Sequence, residues 1–381
     1  MKLYFGPARN SLEVVAAREL VVRTFGAIAS KSIDDMHEYK EFLWEEPDFP
    51  GQDHIIIMAT NSGDVVGTIR LLPRKLYRNV DEFICAGITS VCIDKRYRGN
   101  GYSYELMNAT LEQAQMLGYE IVALFARREL DHYYPKFGIW GLSSYNRLTI
   151  LQSSLPAIKV DKLNFQQVAS DEIPLIQQWH KINYKNCFGY IERNKDFWKY
   201  LLKKIARQNL KLDIIRNDGN AVGYVILCNS VVVEIAIERE QDVLQVLKKL
   251  ILKKEVLELD LPSHHNILHK ISSIDTIFSY RQCEYGGHML GILNPNLLCK
   301  KLEARIKRNA VSLKLMPEQE KLDGLVLDWN GSEASVQQLN ANKYLDCATT
   351  ARLIGAKLYS KQEESRLAPC EALNFLMTDH M

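Results

Sequence analysis

Arg96-Tyr97-Arg98-Gly99-Asn100-Gly101 lies between an apolar run, Ala86-Gly87-Ile88-Thr89-Ser90-Val91-Cys92-Ile93, and a helix-patterned stretch from Tyr102 to Leu117. Strand, glycine loop and helix in that order present several backbone N–H groups at a positive helix N-terminus, a ready site for a phosphate or pyrophosphate. Gly99 and Gly101 have no Cβ, so a diphosphate can approach the main chain closely. The following helix carries Leu106, Met107, Thr110, Leu111, Ala114 and Leu117 at three- and four-residue spacing, the stripe of an amphipathic helix. The loop reads as an anion site, and two common anions fail on residue detail. A nucleoside-triphosphate loop ends in Gly-Lys-Ser/Thr, whereas Gly101 precedes Tyr102 and Ser103. A dinucleotide fingerprint needs a third glycine where this chain has Tyr104.

Downstream, Gly118 and the apolar run Ile121-Val122-Ala123-Leu124-Phe125 fit a buried strand. Asp131-His132-Tyr133-Tyr134-Pro135-Lys136-Phe137-Gly138 follows. Arg-x-x-Gly-x-Gly followed by a Tyr-x-x-apolar-Gly element resembles the GCN5-related N-acetyltransferase (GNAT) family. The resemblance implies acetyl-CoA as cosubstrate: Val91, Cys92 and Ile93 as the strand edge that pairs with the pantetheine arm, and Arg96, Arg98, Gly99, Asn100, Gly101 and Tyr102 as the pyrophosphate cradle. It also implies Tyr134 as the acid that protonates the departing thiolate, with Tyr133, one residue earlier, pointing elsewhere. A leaving thiol of pKa about 8.5 gains from a donor of pKa about 10. Cys92 has no histidine near it in sequence and reads as a core residue rather than a nucleophile.

Composition restricts the classes. At 381 residues the chain is long enough for two or three domains. Its 48 basic and 46 acidic residues nearly cancel, which argues against a nucleic-acid partner bound by phosphate neutralisation. No run approaches the ~20 apolar residues of a membrane span, and the start, Met1 to Pro7, lacks a signal-peptide pattern. The eight cysteines form no C-x-x-C pair, as expected of reduced residues in a cytoplasmic protein. His264, His265 and His269 lack the spaced carboxylate or cysteine that would complete a metal set, so no metal is expected.

The fold class expected is α/β, an α+β mixed sheet repeated in tandem. In the first unit, 1–150, helices at Leu12–Phe25 and Asp34–Trp44 precede strands at His54–Ala59, Val65–Leu72 and Phe83–Ile93. Phe42-Leu43-Trp44-Glu45-Glu46-Pro47-Asp48 reads either as a receiver for a cationic amine, through charge and cation–π contact, or as a solvated acidic turn anchored by its Trp. In the second unit, 151–287, helices at Asp171–Tyr184, Asn194–Arg207 and Gln241–Lys253 alternate with strands in the same plan. It has no glycine loop and is not expected to bind CoA. The third unit, 288–381, offers a helix from Leu297 toward Arg305, a strand at Leu325–Trp329, helical patterns at Ser335–Leu339 and Tyr344–Ile354, and a helix-prone tail.

The whole chain resembles the enhanced intracellular survival (Eis-type) branch of the family. Trp44-Glu45-Glu46-Pro47, Ala86–Val91, Arg96–Gly101, Tyr134–Gly138, Gly189–Arg193 and Met289–Pro295 carry the likeness. That branch implies a catalytic domain, a degenerate second copy, a small sterol-carrier-protein-like C-terminal domain, and assembly as a homo-hexamer. It places the chain terminus in the active site, with Trp44, Glu45, Glu46 and Asp379 near the substrate. The α-carboxylate of Met381 would help deprotonate the amine, and Asp379 and His380 are alternative bases. A base matters because an alkylamine of pKa near 10.4 is only about one part in a few thousand neutral at pH 7. The acceptor implied is an aminoglycoside, a polyamine or a lysine side chain. An amino-sugar N-acetyltransferase of cell-surface polysaccharide synthesis and a non-catalytic acetyl-CoA-binding module are the alternatives.

Overall fold

The computed structural model describes residues 2–29, 44–47, 50–127, 130, 132–207, 210–252, 254–282, 287–339, 343–358 and 364–375. The expected helix at Asp34–Trp44, and Asp48, Asp379, His380 and Met381, lie outside the described residues or at their edge. The first unit contains β1 (Tyr4–Pro7), α1 (Ser11–Ala29), β2 (Ile55–Ala59), β3 (Val65–Arg78), β4 (Asp81–Ile93), α2 (Tyr102–Met116), β5 (Ile121–Ala126) and β6 (Ile139–Gly141). The second contains β7 (Ser144–Leu151), β8 (Leu163–Gln167), α3 (Ile173–Tyr184), β9 (Tyr190–Ile191), α4 (Lys195–Arg207), β10 (Leu210–Asn217), β11 (Asn220–Cys228) and β12 (Val231–Ile237). It continues with α5 (Val243–Ile251), β13 (Val256–Asp260), α6 (Ile267–Ile271), β14 (Thr276–Gln282) and β15 (Gly287–Ile292).

The two sheets follow one plan and exchange a strand. The first runs β1-β2-β3-β4-β5-β15-β6, with β9 paired to the far end of β3. The second runs β8-β10-β11-β12-β13-β7-β14. In each, an antiparallel series meets one parallel pair, β4 with β5 and β12 with β13. The strand beyond that pair comes from the other half: β15 returns to the first sheet, and β7, which starts at Ser144, already belongs to the second. A period-2 apolar pattern states that a segment is a strand without stating which sheet takes it.

Alternation along β2 builds two cores in the first unit. Ile56 and Met58 pack under Leu106, Met107, Leu111 and Ala114 of α2. Ile55, Ile57 and Ala59 meet Ala17, Leu20 and Val21 of α1 on the opposite face. The second copy lacks the loop: between β12 and α5 stand Glu238, Glu240 and Asp242 where the first has Arg96, Arg98 and two glycines. Arg239 lies among these carboxylates and is ion-paired with Asp242 at 3.0 Å.

The third unit holds α7 (Pro295–Leu313), an antiparallel sheet of β16 (Glu318–Leu322), β17 (Leu325–Trp329) and β18 (Ala334–Gln338), and α8 (Cys347–Ile354). It is not independent: Leu298, Leu302, Ile306, Leu325, Leu327 and Leu353 share one core with Phe83, Cys85, Ile121 and Ala123 of the first sheet. Two expectations are corrected here. The expected helix Ser335–Leu339 is instead strand from Ser335 to Gln338, because Ala334 and Val336 point inward while Ser335 and Gln337 are exposed, and β17 supplies the ladder. The described tail, 364–375, is not helical; it is held by bridges Ala356–Glu371 and Ser143–Leu373. Among the described residues, the cysteines are free and no helix is long and apolar enough to cross a membrane.

Candidate active site

The site starts from a distortion in β4. Ser90 adopts φ +57°, and the β3–β4 register shifts between Thr68 and Arg70 opposite it. A non-glycine residue in the left-handed region of a strand bends it. β4 and β5 accordingly pair only from Cys85 to Gly87 with Ile121 to Ala123. Beyond that, Cys92 and Ile93 pair with β3 on one side only, Val91 falls in the register shift, and the other main-chain edge faces a wedge. The Cys92 side chain is 6% exposed and packs in the α1 core, in agreement with its reading as a core residue.

A turn at Lys95–Tyr97 leads from β4 into the loop. Asp94 caps it by accepting from the Arg96 N–H at 3.0 Å and from the Arg96 guanidinium at 3.1 and 3.0 Å. Those Arg96 hydrogen bonds hold the Asp94 carboxyl down at about 2. Gly99 and Gly101 sit at φ +81° and +78°, and a Cβ built on either meets nothing within 4 Å. Among the described residues, none accepts from the N–H groups of Asn100 to Ser103, which gather at the start of α2. An anion placed there meets free donors, a helix dipole and no side chain in the way.

Wedge and loop open into one cavity of about 390 Å³, the size of a small-ligand site. Val91, Cys92, Ile93, Arg98, Gly99, Gly101, Tyr102 and Tyr134, all named from the sequence, line it. Arg98 lies across its rim, its Nε donating to the Ile93 carbonyl at 2.8 Å. Arg96 faces a neighbouring recess instead, and the Asn100 amide turns back onto the Tyr97 and Arg98 carbonyls.

A single tight turn, Tyr134–Phe137, ends at Gly138 with φ +68° and aims the tyrosine. Tyr134 is 3% exposed, and burial pushes its hydroxyl well above the usual phenol range, so it stays protonated. Tyr133 departs from expectation. Its ring also lines the cavity, while its hydroxyl is tied to the Ser103 carbonyl at 2.7 Å, pinning the turn to the head of α2. The third unit braces the turn from behind: Tyr344 packs on Phe137, and its hydroxyl donates to Asn108 at 2.7 Å.

Trp44, Glu45 and Glu46 do not line this cavity. Glu46 is ion-paired with Arg74, the Arg70 guanidinium lies 4.9 Å over the Trp44 ring, and exposed Glu45 faces Lys203 at 4.0 Å. The three residues therefore already have cationic partners within the chain. Residues that the sequence reading missed are Thr24 and Phe25 at the end of α1, Ile69 on β3, and Arg127 and Leu130 after β5. Their places follow from packing, and only the position of Arg127 at the end of an apolar strand signalled it. Among the described residues, no cluster of His, Cys, Asp and Glu could hold a metal ion.

Residues 10–143 match the model of the acetyltransferase (GNAT) domain. Among solved structures, a GCN5-related N-acetyltransferase from Anabaena variabilis superposes with a TM-score of 0.67 at 16% identity, over 98% of this chain and 99% of that one. Eis1 from Mycobacterium abscessus gives 0.63 at 12% identity over 99% and 100%. A conserved protein from Enterococcus faecalis, described as a probable N-acyltransferase, gives 0.63 at 14% over 89% and 85%. At such identities the likeness speaks for the fold. No curated protein matches the sequence. Sequence and fold thus agree that residues 10–143 are an acetyltransferase domain of the GNAT type, which makes this protein an acyltransferase.

Proposed function

We propose that this acyltransferase moves an acetyl group from acetyl-CoA to a primary amine by direct attack, with Tyr134 as general acid. One observation carries the reading: the buried Tyr134 lines the same cavity as the half-paired edge Val91–Ile93 and the open glycine loop. The cosubstrate's pyrophosphate fits the free amides at the head of α2, and its pantetheine amides fit the β4 edge. The amine nitrogen attacks the thioester carbonyl carbon, whose oxygen is polarised by main-chain N–H near Cys92 or Ile93. The C–S bond then breaks, its electron pair leaves with sulfur, Tyr134 supplies the thiol proton, and the amine's proton passes to a base.

The acceptor is an amine such as an aminoglycoside, a polyamine or a lysine side chain. Through Trp44, Glu45 and Glu46 it must compete with Arg70 and Arg74, so a dication or polycation is favoured over a single ammonium. For the base, the path of the chain supports the terminus. Leu373 accepts from Ser144 N–H, Asn374 donates to Phe188, and Phe375 stacks near His288, which faces Phe125 at the end of β5. From there six further residues, spanning at most ~20 Å, lead to the Met381 carboxylate, which with Asp379 is the base in this reading. The units 1–150, 151–287 and 288–381 would then be a catalytic domain, a degenerate copy and a sterol-carrier-like domain whose tail completes the site, in a cytoplasmic homo-hexamer.

Tyr134→Phe tests the central role. Loss of the acid lowers kcat about 10²- to 10⁴-fold, with CoA affinity unchanged. A variant that turns over at the wild-type rate would remove Tyr134 from the chemistry.

A further inference from the structure

Beside the cavity, and continuous with it through Thr24 and Arg98, lies a recess of about 540 Å³. Arg23 of α1 and Lys95, Arg96 and Arg98 of the loop bring four cations to it, against the single carboxylate of Asp94. Two of these cations are engaged: Arg96 forks onto Asp94, and Arg98 donates to Ile93. Arg23 and Lys95 are exposed, and among the described residues neither forms an ion pair or a side-chain hydrogen bond. Two cations from different elements, Arg23 near enough to Asp94 to help hold its carboxyl down, therefore flank a hollow that adjoins the free amides of the glycine loop. Such a hollow suits a phosphate richer in charge than either phosphate of a diphosphate diester, and covalently joined to it.

We infer that Arg23 and Lys95 form a subsite for a phosphate monoester, the 3′-phosphate of the cosubstrate's ribose, and so select CoA over its 3′-dephospho form. The inference rests on acetyl-CoA being the cosubstrate. The monoester carries about −1.5 to −2 charges at pH 7, whereas each pyrophosphate oxygen pair carries about one. Its attachment two bonds from the ribose C4′ arm places it beside the diphosphate rather than along the pantetheine. The buried wall of the recess is apolar Leu20, so recognition comes from the two exposed cations at the rim. A monoester that spans Arg23 on α1 and Lys95 on the loop also ties the two elements together.

Titration calorimetry of the full chain with CoA and with 3′-dephospho-CoA tests this, for the wild type and for Arg23→Gln, Lys95→Gln and the double variant. Two partly exposed charge contacts are worth about tenfold together. The wild type should prefer CoA by about tenfold, and the double variant should bind both ligands equally, at the wild-type affinity for 3′-dephospho-CoA. That retained affinity also shows that the variant is folded. Equal binding of both ligands by the wild type, or a preference that survives the double substitution, overturns the subsite and leaves the cosubstrate reading intact. Failure of the wild type to bind either ligand overturns the cosubstrate reading, and the subsite with it.

Discussion

Gly101→Ala separates what the loop does for the fold from what it does for the ligand. Gly101 sits at φ +78°, where an L-residue pays about 1–2 kcal/mol. A less flexible unfolded chain returns about 0.4–1 kcal/mol of that. A Cβ at this position meets nothing within 4 Å, so no steric term is added. The net cost is about 1 kcal/mol, or a fall in Tm of about 2 °C. If the pyrophosphate lies against this backbone, the new methyl stands in its approach, and CoA affinity should fall at least about tenfold, or about 1.4 kcal/mol. Gly219→Ala is the matched control: φ is +82° and nothing lies within 4 Å, but the residue is in the β10–β11 turn of the copy without a loop. Differential scanning fluorimetry and calorimetry with CoA should show two equal losses of stability and one loss of binding. Equal CoA affinity in the two variants would refute a phosphate site at the head of α2.

Other consequences follow from burial. A Cβ on Gly189, at φ +104°, would stand 2.1 Å from the Asn374 carbonyl oxygen, so Gly189→Ala must dislodge the tail strand. Its Tm should fall well beyond that of Gly219→Ala, with new proteolytic cleavage near residue 374; an unchanged digestion pattern would contradict the docking of the tail. Burial holds His265 at about 4 against an ordinary 6.5, and lowers buried His180 as well. The folded values are depressed, so the unfolded chain takes up protons first, and stability present above about pH 6.5 is lost as pH falls toward 4. A Tm that stays flat across that window would count against both histidines being buried neutral. Burial raises Tyr134, so the acid keeps its proton into the alkaline range, and the basic limb of kcat should not fall near pH 10. A fall there that disappears in Tyr134→Phe would contradict its sheltered environment.

The glycine loop and its flanking strand and helix were legible because each carries a local requirement: left-handed φ at Gly99 and Gly101, an apolar run before them, a 3.6-residue stripe after. Tyr134 was singled out by the family resemblance that Tyr134–Gly138 carries, and it lies in a tight turn that ends at Gly138. Other features depend on partners distant in sequence. The bend at Ser90 arises in a strand whose residues look ordinary, and nothing local marks it. Arg70 and Arg74 lie on β3, 26 and 28 residues beyond Trp44 and Glu46, so the covering of the aromatic–acidic stretch was invisible until the chain folded. The same holds for the exchange of β7 and β15, and for Ser335–Leu339, whose short polar alternation needs β17 beside it to become a strand.

The most direct measurement is release of free thiol from acetyl-CoA by the full chain, with a panel of polyamines, aminoglycosides, amino sugars and lysine peptides, in the wild type and in Tyr134→Phe. Thiol release that requires an amine, yields the acetylated amine in equal amount, and collapses in Tyr134→Phe is the predicted result. Tight binding of acetyl-CoA with no amine-dependent release across the panel would contradict acetyl transfer and leave a domain that only holds its ligand.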